Sequence, residues 1–104
     1  MPVTTIANRS VHVDEEGFLT EFDEWSDELS DTLAAQIGVQ LTDEHRALLR
    51  FLREDYAVQG ETATLRRVSA STGTPVKRLF QLFPAKPAKK MAYVAGLPKP
   101  RGCV

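Results

Sequence analysis

Gly38, Gly60, Gly73 and Gly96 each stand at the end of a run with helical periodicity. That punctuation confines the chain to a succession of short helices. Ser26 is suited to cap the first run, with Asp27 and Glu28 at the positive end of the helix dipole. Leu29, Leu33 and Ile37 recur every four residues on one face before Gly38. Thr42 caps the next run, whose apolar stripe is Leu48, Leu49, Phe51, Leu52 and Tyr56, and Gly60 stops it. Thr62 or Thr64 opens a third, with Leu65 and Val68 inward and Gly73 as terminator. Thr74-Pro75 reads as an N-cap followed by proline at the first helical position. That helix carries Val76, Leu79, Phe80, Leu82 and Phe83 and ends at Pro84. Pro87 begins a last helix through Met91 and Val94 to Gly96.

Upstream of Ser26 the period changes to two. Val11 and Val13 flank His12, while Phe18, Thr20 and Phe22 share one side of the following run. Asp14-Glu15-Glu16-Gly17 between them is turn chemistry, so a β-hairpin is expected there. The predicted fold is mainly α, a small bundle of about five helices with an N-terminal β-hairpin and an extended arm. It is one domain: a hairpin region over about 1–24, helices over 26–96 and a flexible arm over 97–104.

Hydrophobic residues are 42% of the 104 and charged ones 26%, which excludes a disordered composition. No apolar run approaches the ~18 residues of a membrane span, and the first residues lack the pattern of a signal peptide. A single cysteine excludes an intrachain disulfide framework, and a cytoplasmic location is expected. Charge is uneven: residues 1–55 hold 4 Lys/Arg and 13 Asp/Glu, and residues 56–104 hold 9 and 1. The asymmetry either steers an anionic partner toward the C-terminal half or makes two faces attract across the fold.

The one cysteine is Cys103, next to last in the arm Leu97-Pro98-Lys99-Pro100-Arg101-Gly102-Cys103-Val104. Pro98 and Pro100 exclude regular helix and central strand. In a polyproline-like conformation eight residues reach roughly 25 Å. The prolines reduce the entropy lost when the arm orders inside a partner, and Gly102 leaves the backbone beside the thiol narrow. Lys99 and Arg101 favour the thiolate, and the Val104 carboxylate opposes them. A lone cysteine is otherwise a small buried hydrophobe or an inert thiol. Its place at the tip of a stiffened tail points instead to covalent carrier chemistry, with Cys103 inserted into another protein's site.

The block Leu82-Phe83-Pro84-Ala85-Lys86-Pro87-Ala88-Lys89, followed by Ala95 through Val104, closely resembles the C-terminus of the DsrC/TusE family. Gly17-Phe18-Leu19, Trp25-Ser26, Leu41-Thr42-Asp43-Glu44-His45 and Arg50 through Tyr56 extend the resemblance over nearly the whole chain. It implies a sulfur-relay protein in which Cys103 carries a persulfide and no cofactor is needed. It also implies a sulfur-donor and a sulfur-acceptor protein as partners. Many DsrC proteins have a second cysteine eleven residues before the penultimate one, where this chain has Ala92. The single-cysteine pattern is that of TusE, which implies a TusBCD-like donor, a tRNA thiouridylase-like acceptor, and tRNA reached through that acceptor. The alternative within the family is a partner of dissimilatory sulfite reductase. Family members also often carry more residues between Gly73 and Leu79, with an aromatic pair where this chain has Leu79-Phe80.

Leu65 to Phe83 also reads as a helix-turn-helix around Gly73, with Lys77 and Arg78 on the second helix, which would suit a DNA-binding regulator. Glycine-turned helical hairpins are common in bundles, so DNA is the weaker expectation. Lys86, Lys89 and Lys90 are candidate contacts to phosphate or to an acidic partner, as are Lys77 and Arg78. His12 and His45 lack metal-ligand spacing, and no metal site is expected. His45 reads as a surface or packing residue, Trp25 as core and Met91 as a packing residue.

Overall fold

The last five elements descend directly from the caps and stripes of the sequence. In the computed structural model, which describes residues 3–6 and 9–100, they are α1 (Asp27–Gln36), α2 (Asp43–Gln59), α3 (Leu65–Thr72), α4 (Val76–Leu82) and α5 (Pro87–Val94). The Ser26, Thr42 and Thr64 hydroxyls accept the backbone N–H groups of Leu29, His45 and Arg67, so each helix begins on its predicted cap, Thr64 rather than Thr62 opening α3. α4 differs by one residue. Pro75, not Thr74, is its N-cap, and the Thr74 hydroxyl is taken up by Thr72 at 2.9 Å.

Two antiparallel strands precede the helices, β1 (Val3–Ile6) and β2 (Arg9–His12), in the register Val3↔His12 to Ile6↔Arg9. The hairpin exists, but the strand containing Val11 pairs with the segment before it, not with Phe18–Phe22. Phe18 and Leu19 are adjacent and both buried, which breaks the two-residue alternation of a half-buried strand. Only the bridge Val13↔Leu19 remains of the expected pairing, closed by the turn at Asp14–Gly17. Phe22 falls in a 3-10 turn, Phe22–Glu24.

α5 is the central element, packed against α1, α2 and α4. One core joins α2 to α5 through Leu48, Leu49, Leu52, Val68, Leu79 and Phe83; a second joins the hairpin to α1 through Ile6, Val11, Leu19, Leu29 and Leu33. Tyr93 of α5 touches both. His45 is a packing residue. The Leu82 carbonyl can only accept, so Nε2 donates to it at 2.8 Å and Nδ1 is left to accept from the Thr42 N–H at 3.0 Å. Met91 and Ala92 are fully buried.

Candidate functional site: the root of the C-terminal arm

The backbone turns at Gly96 just after α5, and four contacts fix the chain on the two sides of that turn. The Trp25 indole N–H donates to the Val94 carbonyl at 2.8 Å. The Arg53 guanidinium donates to the Ala95 carbonyl at 2.9 Å and to the Phe22 carbonyl at 2.7 Å. The Leu97 N–H donates to Ala92 at 3.0 Å, and the Thr62 hydroxyl to the Pro98 carbonyl at 2.7 Å. Arg53 also lies over the rings of Phe22 and Trp25, 3.9 and 4.4 Å from their centroids. Both are within cation–π range. Burial pulls the Arg53 pKa down from its ordinary value, opposed by the charge of Asp23.

Leu97 was expected as the first residue of the arm. It is a core residue with 0% of its surface exposed, packed into the cluster of α2–α5. Burying such a side chain stabilises by about 1.5–3 kcal/mol, which outweighs the freedom of one more arm residue. Pro98 and Lys99 are exposed and Pro100 is buried, so the described part of the arm lies along the body. Arg101, Gly102 and Cys103, assigned to the arm and its thiol, lie outside the described residues.

The candidate cations divide by their partners. Arg78 is committed to Glu44, whose oxygens lie at 2.6 and 2.9 Å. That hydrogen bonding holds the Glu44 carboxyl below its usual range. Lys77 is exposed on α4 beside Val76 and Phe80, themselves 42% and 44% exposed. Lys86, Lys89 and Lys90 gather at the first turn of α5, away from Lys77 and Arg78 in the sequence but close to Glu16 in space, where Lys89 stands at 3.8 Å. Lys99 reaches the same carboxylate at 3.3 Å. Among the described residues no cluster of His, Cys, Asp or Glu could hold a metal ion. No described helix is long and apolar enough to cross a membrane.

Sequence reading missed Arg53, Thr62 and Glu16 as determinants of the arm root, and took Trp25 only as a packing residue. Their partners lie 42, 36, 83 and 69 positions away, which no local period reveals.

Residues 5–104 match the family model described as "DsrC like protein". This chain belongs to the DsrC/TusE family. It is 36% identical, over the full length of both chains, to the dissimilatory-type sulfite reductase subunit gamma of Nitratidesulfovibrio vulgaris. It is 33% identical to the sulfurtransferase TusE of Salmonella typhimurium, covering 92% of this chain and 94% of that one. The solution structure of Allochromatium vinosum DsrC superposes with a TM-score of 0.86 at 35% identity, covering 98% of this chain and 97% of that one. The five-helix DsrC/TusE fold with its two-strand hairpin is therefore the fold of this chain.

Proposed function

We propose that the protein is a cytoplasmic sulfur carrier that accepts and donates a persulfide sulfur on Cys103. The observation that carries this reading is the solitary cysteine, placed next to last in a chain that matches its family model through residue 104. The Cys103 thiolate attacks the terminal sulfur of a donor persulfide. The donor's S–S bond breaks, a new S–S bond forms on Cys103, and the donor leaves as a thiolate. An acceptor thiolate then repeats the step on Cys103. No electrons are gained or lost overall, so no cofactor is required. The protein's contribution is presentation: an arm fixed at its root by Trp25, Arg53 and Thr62 holds the thiol at high effective concentration in a partner's site.

The finer assignment is TusE-like, in delivery of sulfur toward the wobble uridine of tRNA, with a TusBCD-like donor and a thiouridylase-like acceptor. Ala92 favours it, because a chain with one cysteine forms no internal disulfide. The second reading is partnership with a dissimilatory sulfite reductase, supported by the 36% identity to a gamma subunit. A DNA-binding role finds little support on α4. Its outer side carries Val76 and Phe80, and Arg78 is held by Glu44.

Mass spectrometry after incubation with a desulfurase-fed persulfide donor tests the carrier role. Wild type should gain one sulfur, removable by reductant, and Cys103→Ser should gain none while folding normally. Equal uptake by the variant, or none by wild type from any thiol donor, would overturn it.

A further inference from the structure

A groove of about 430 Å³ opens between the first turn of α5 and the end of α1. Its floor is apolar: Phe18, Ile37 and Tyr93, with Phe18 set edge-on to the Tyr93 ring at a centroid distance of 5.7 Å. Its rim is cationic: Lys86, Lys89 and Lys90. Glu16 is the only carboxylate lining it, and Glu16 is shared between Lys89 and Lys99. The Lys90 ammonium donates to the neutral Pro84 carbonyl at 2.5 Å. Three lysines thus line a groove whose one carboxylate is shared with a fourth, Lys99, and among the described residues neither Lys86 nor Lys90 has a carboxylate in ion-pair range.

Such a rim repels itself unless an anion sits over it. The lysines also occupy the first turn of a helix that has no acidic residue there, where the dipole disfavours cations. The backbone at this rim is strained as well. Ala85 holds φ +67°, the one described non-glycine residue in the left-handed region, at a cost of about 1–2 kcal/mol. Strain of this kind concentrates where a surface is shaped for a ligand.

We propose that this groove docks an acidic segment of a partner protein, with an apolar side chain seated on Ile37 and Tyr93, which the buried Phe18 ring backs, and carboxylates on Lys86, Lys89 and Lys90. A peptide fits better than a single-stranded nucleic acid. Base recognition without sequence stacks successive bases on open ring faces, and this groove offers one half-buried ring, Tyr93, because Phe18 is 3% exposed. Lys99, paired with the groove's Glu16, is four residues before Cys103. A partner held in the groove is therefore held at the base of the thiol-bearing arm. The proposal rests on the carrier reading for its meaning but not for its test.

The test is amide NMR of the full chain titrated with an acetylated, amidated heptapeptide of alternating Asp and Glu around one central Phe. Saturable shifts should centre on Phe18, Ile37, Lys86, Lys89 and Tyr93. Lys86→Glu/Lys90→Glu, two rim changes that leave the core intact, should weaken binding at least about tenfold, as should Gly for Phe in the peptide. Cys103→Ser should bind as wild type. Both proteins are also offered glutathione persulfide. Uptake by the double variant with lost peptide binding supports the groove, whereas failed uptake by wild type strikes the carrier reading alone. Absence of saturable shifts at the groove, binding unaffected by the double change, or equal binding of a Phe-free peptide, an RNA oligonucleotide or inorganic phosphate would overturn the proposal.

Discussion

Gly96 lies so close to Trp25 that a Cβ on the glycine would sit 2.4 Å from the indole Cδ1 and 2.9 Å from Cγ. Gly96 also holds φ +71°, which other residues rarely adopt. Both constraints act at one residue, where α5 hands the chain to the arm. Gly96→Ala should lose about 3 kcal/mol, combining left-handed strain with overpacking against a ring held by its own hydrogen bond. Gly60→Ala is the control. It has a similar φ of +77° but nothing within 4 Å of the new Cβ, so only the strain of about 1–2 kcal/mol remains. Urea unfolding midpoints measure both, and equal losses would show that the Trp25 contact carries no energy.

Thr62→Val keeps the shape of the side chain and removes the donor to the Pro98 carbonyl. The expected loss is about 1 kcal/mol, because Pro98 is exposed and water replaces the hydroxyl. The more telling effect is local. Hydrogen exchange at the Leu97 amide, which donates to Ala92, should accelerate, while exchange in α2 changes only by the global loss. Unchanged exchange at Leu97 would mean that the Thr62 bond does not hold the arm root.

Glu24 ties the 3-10 turn to β2, accepting from the His12 N–H and bonding its ring Nδ1, both at 2.8 Å. The bond from the His12 backbone, and then that from its ring, hold the Glu24 carboxyl below the ordinary 4.5. A lowered folded-state pKa means stability that is present above about 4.5 and lost as pH falls through the folded value. Acidification should therefore loosen the hairpin before the helical core. The His12 amide resonance should report the transition, and Glu24→Gln should abolish its acid dependence. A His12 shift that survives in the variant would assign the titration to another group.

The helices were legible because their signals are local. Ser26, Thr42 and Thr64 cap from one residue away, and Gly60 and Gly73 close α2 and α3 in left-handed conformations. The strand pairing was not, because Val3–Ile6 and Phe18–Phe22 both offer plausible partners to Val11. The choice is made by burial of Ile6 and Val11 with Leu29 and Leu33 of α1, a tertiary contact. Thr74 lost the cap to Pro75 in a local competition: its hydroxyl accepts from Thr72, two residues back. The candidacy of Cys103, which lies outside the described residues, rests on position and resemblance, whereas the depth of Leu97 is described and was not legible. Two neighbouring prolines suggest an arm, and only the packed cluster of α2–α5 reveals that Leu97 belongs to the core.

Ala92→Cys restores the second thiol that the resemblance places eleven residues before Cys103. Ala92 has no exposed surface, so the added sulfur should cost about 1–3 kcal/mol. Under mild oxidation the variant should nevertheless form a monomeric disulfide, provided that the arm brings the two Cα atoms to about 5.5 Å. Nonreducing mass analysis checks it. Persistence of two free thiols would mean that the arm does not return to α5.

Arg53, with Trp25, couples the N-terminal region to the arm root. Its guanidinium bridges the Phe22 and Ala95 carbonyls while stacking on Phe22 and Trp25. Lysine keeps the charge but lacks the planar fork and the stacking surface. Arg53→Lys should cost about 2 kcal/mol, from one lost charged hydrogen bond and weakened ring contacts. If the arm root positions Cys103, transfer from a protein persulfide donor should slow several-fold. Uptake from glutathione persulfide, which needs only an accessible thiol, should not. Equal slowing with both donors would trace the defect to the thiol itself, and equal rates with both would confine Arg53 to stability.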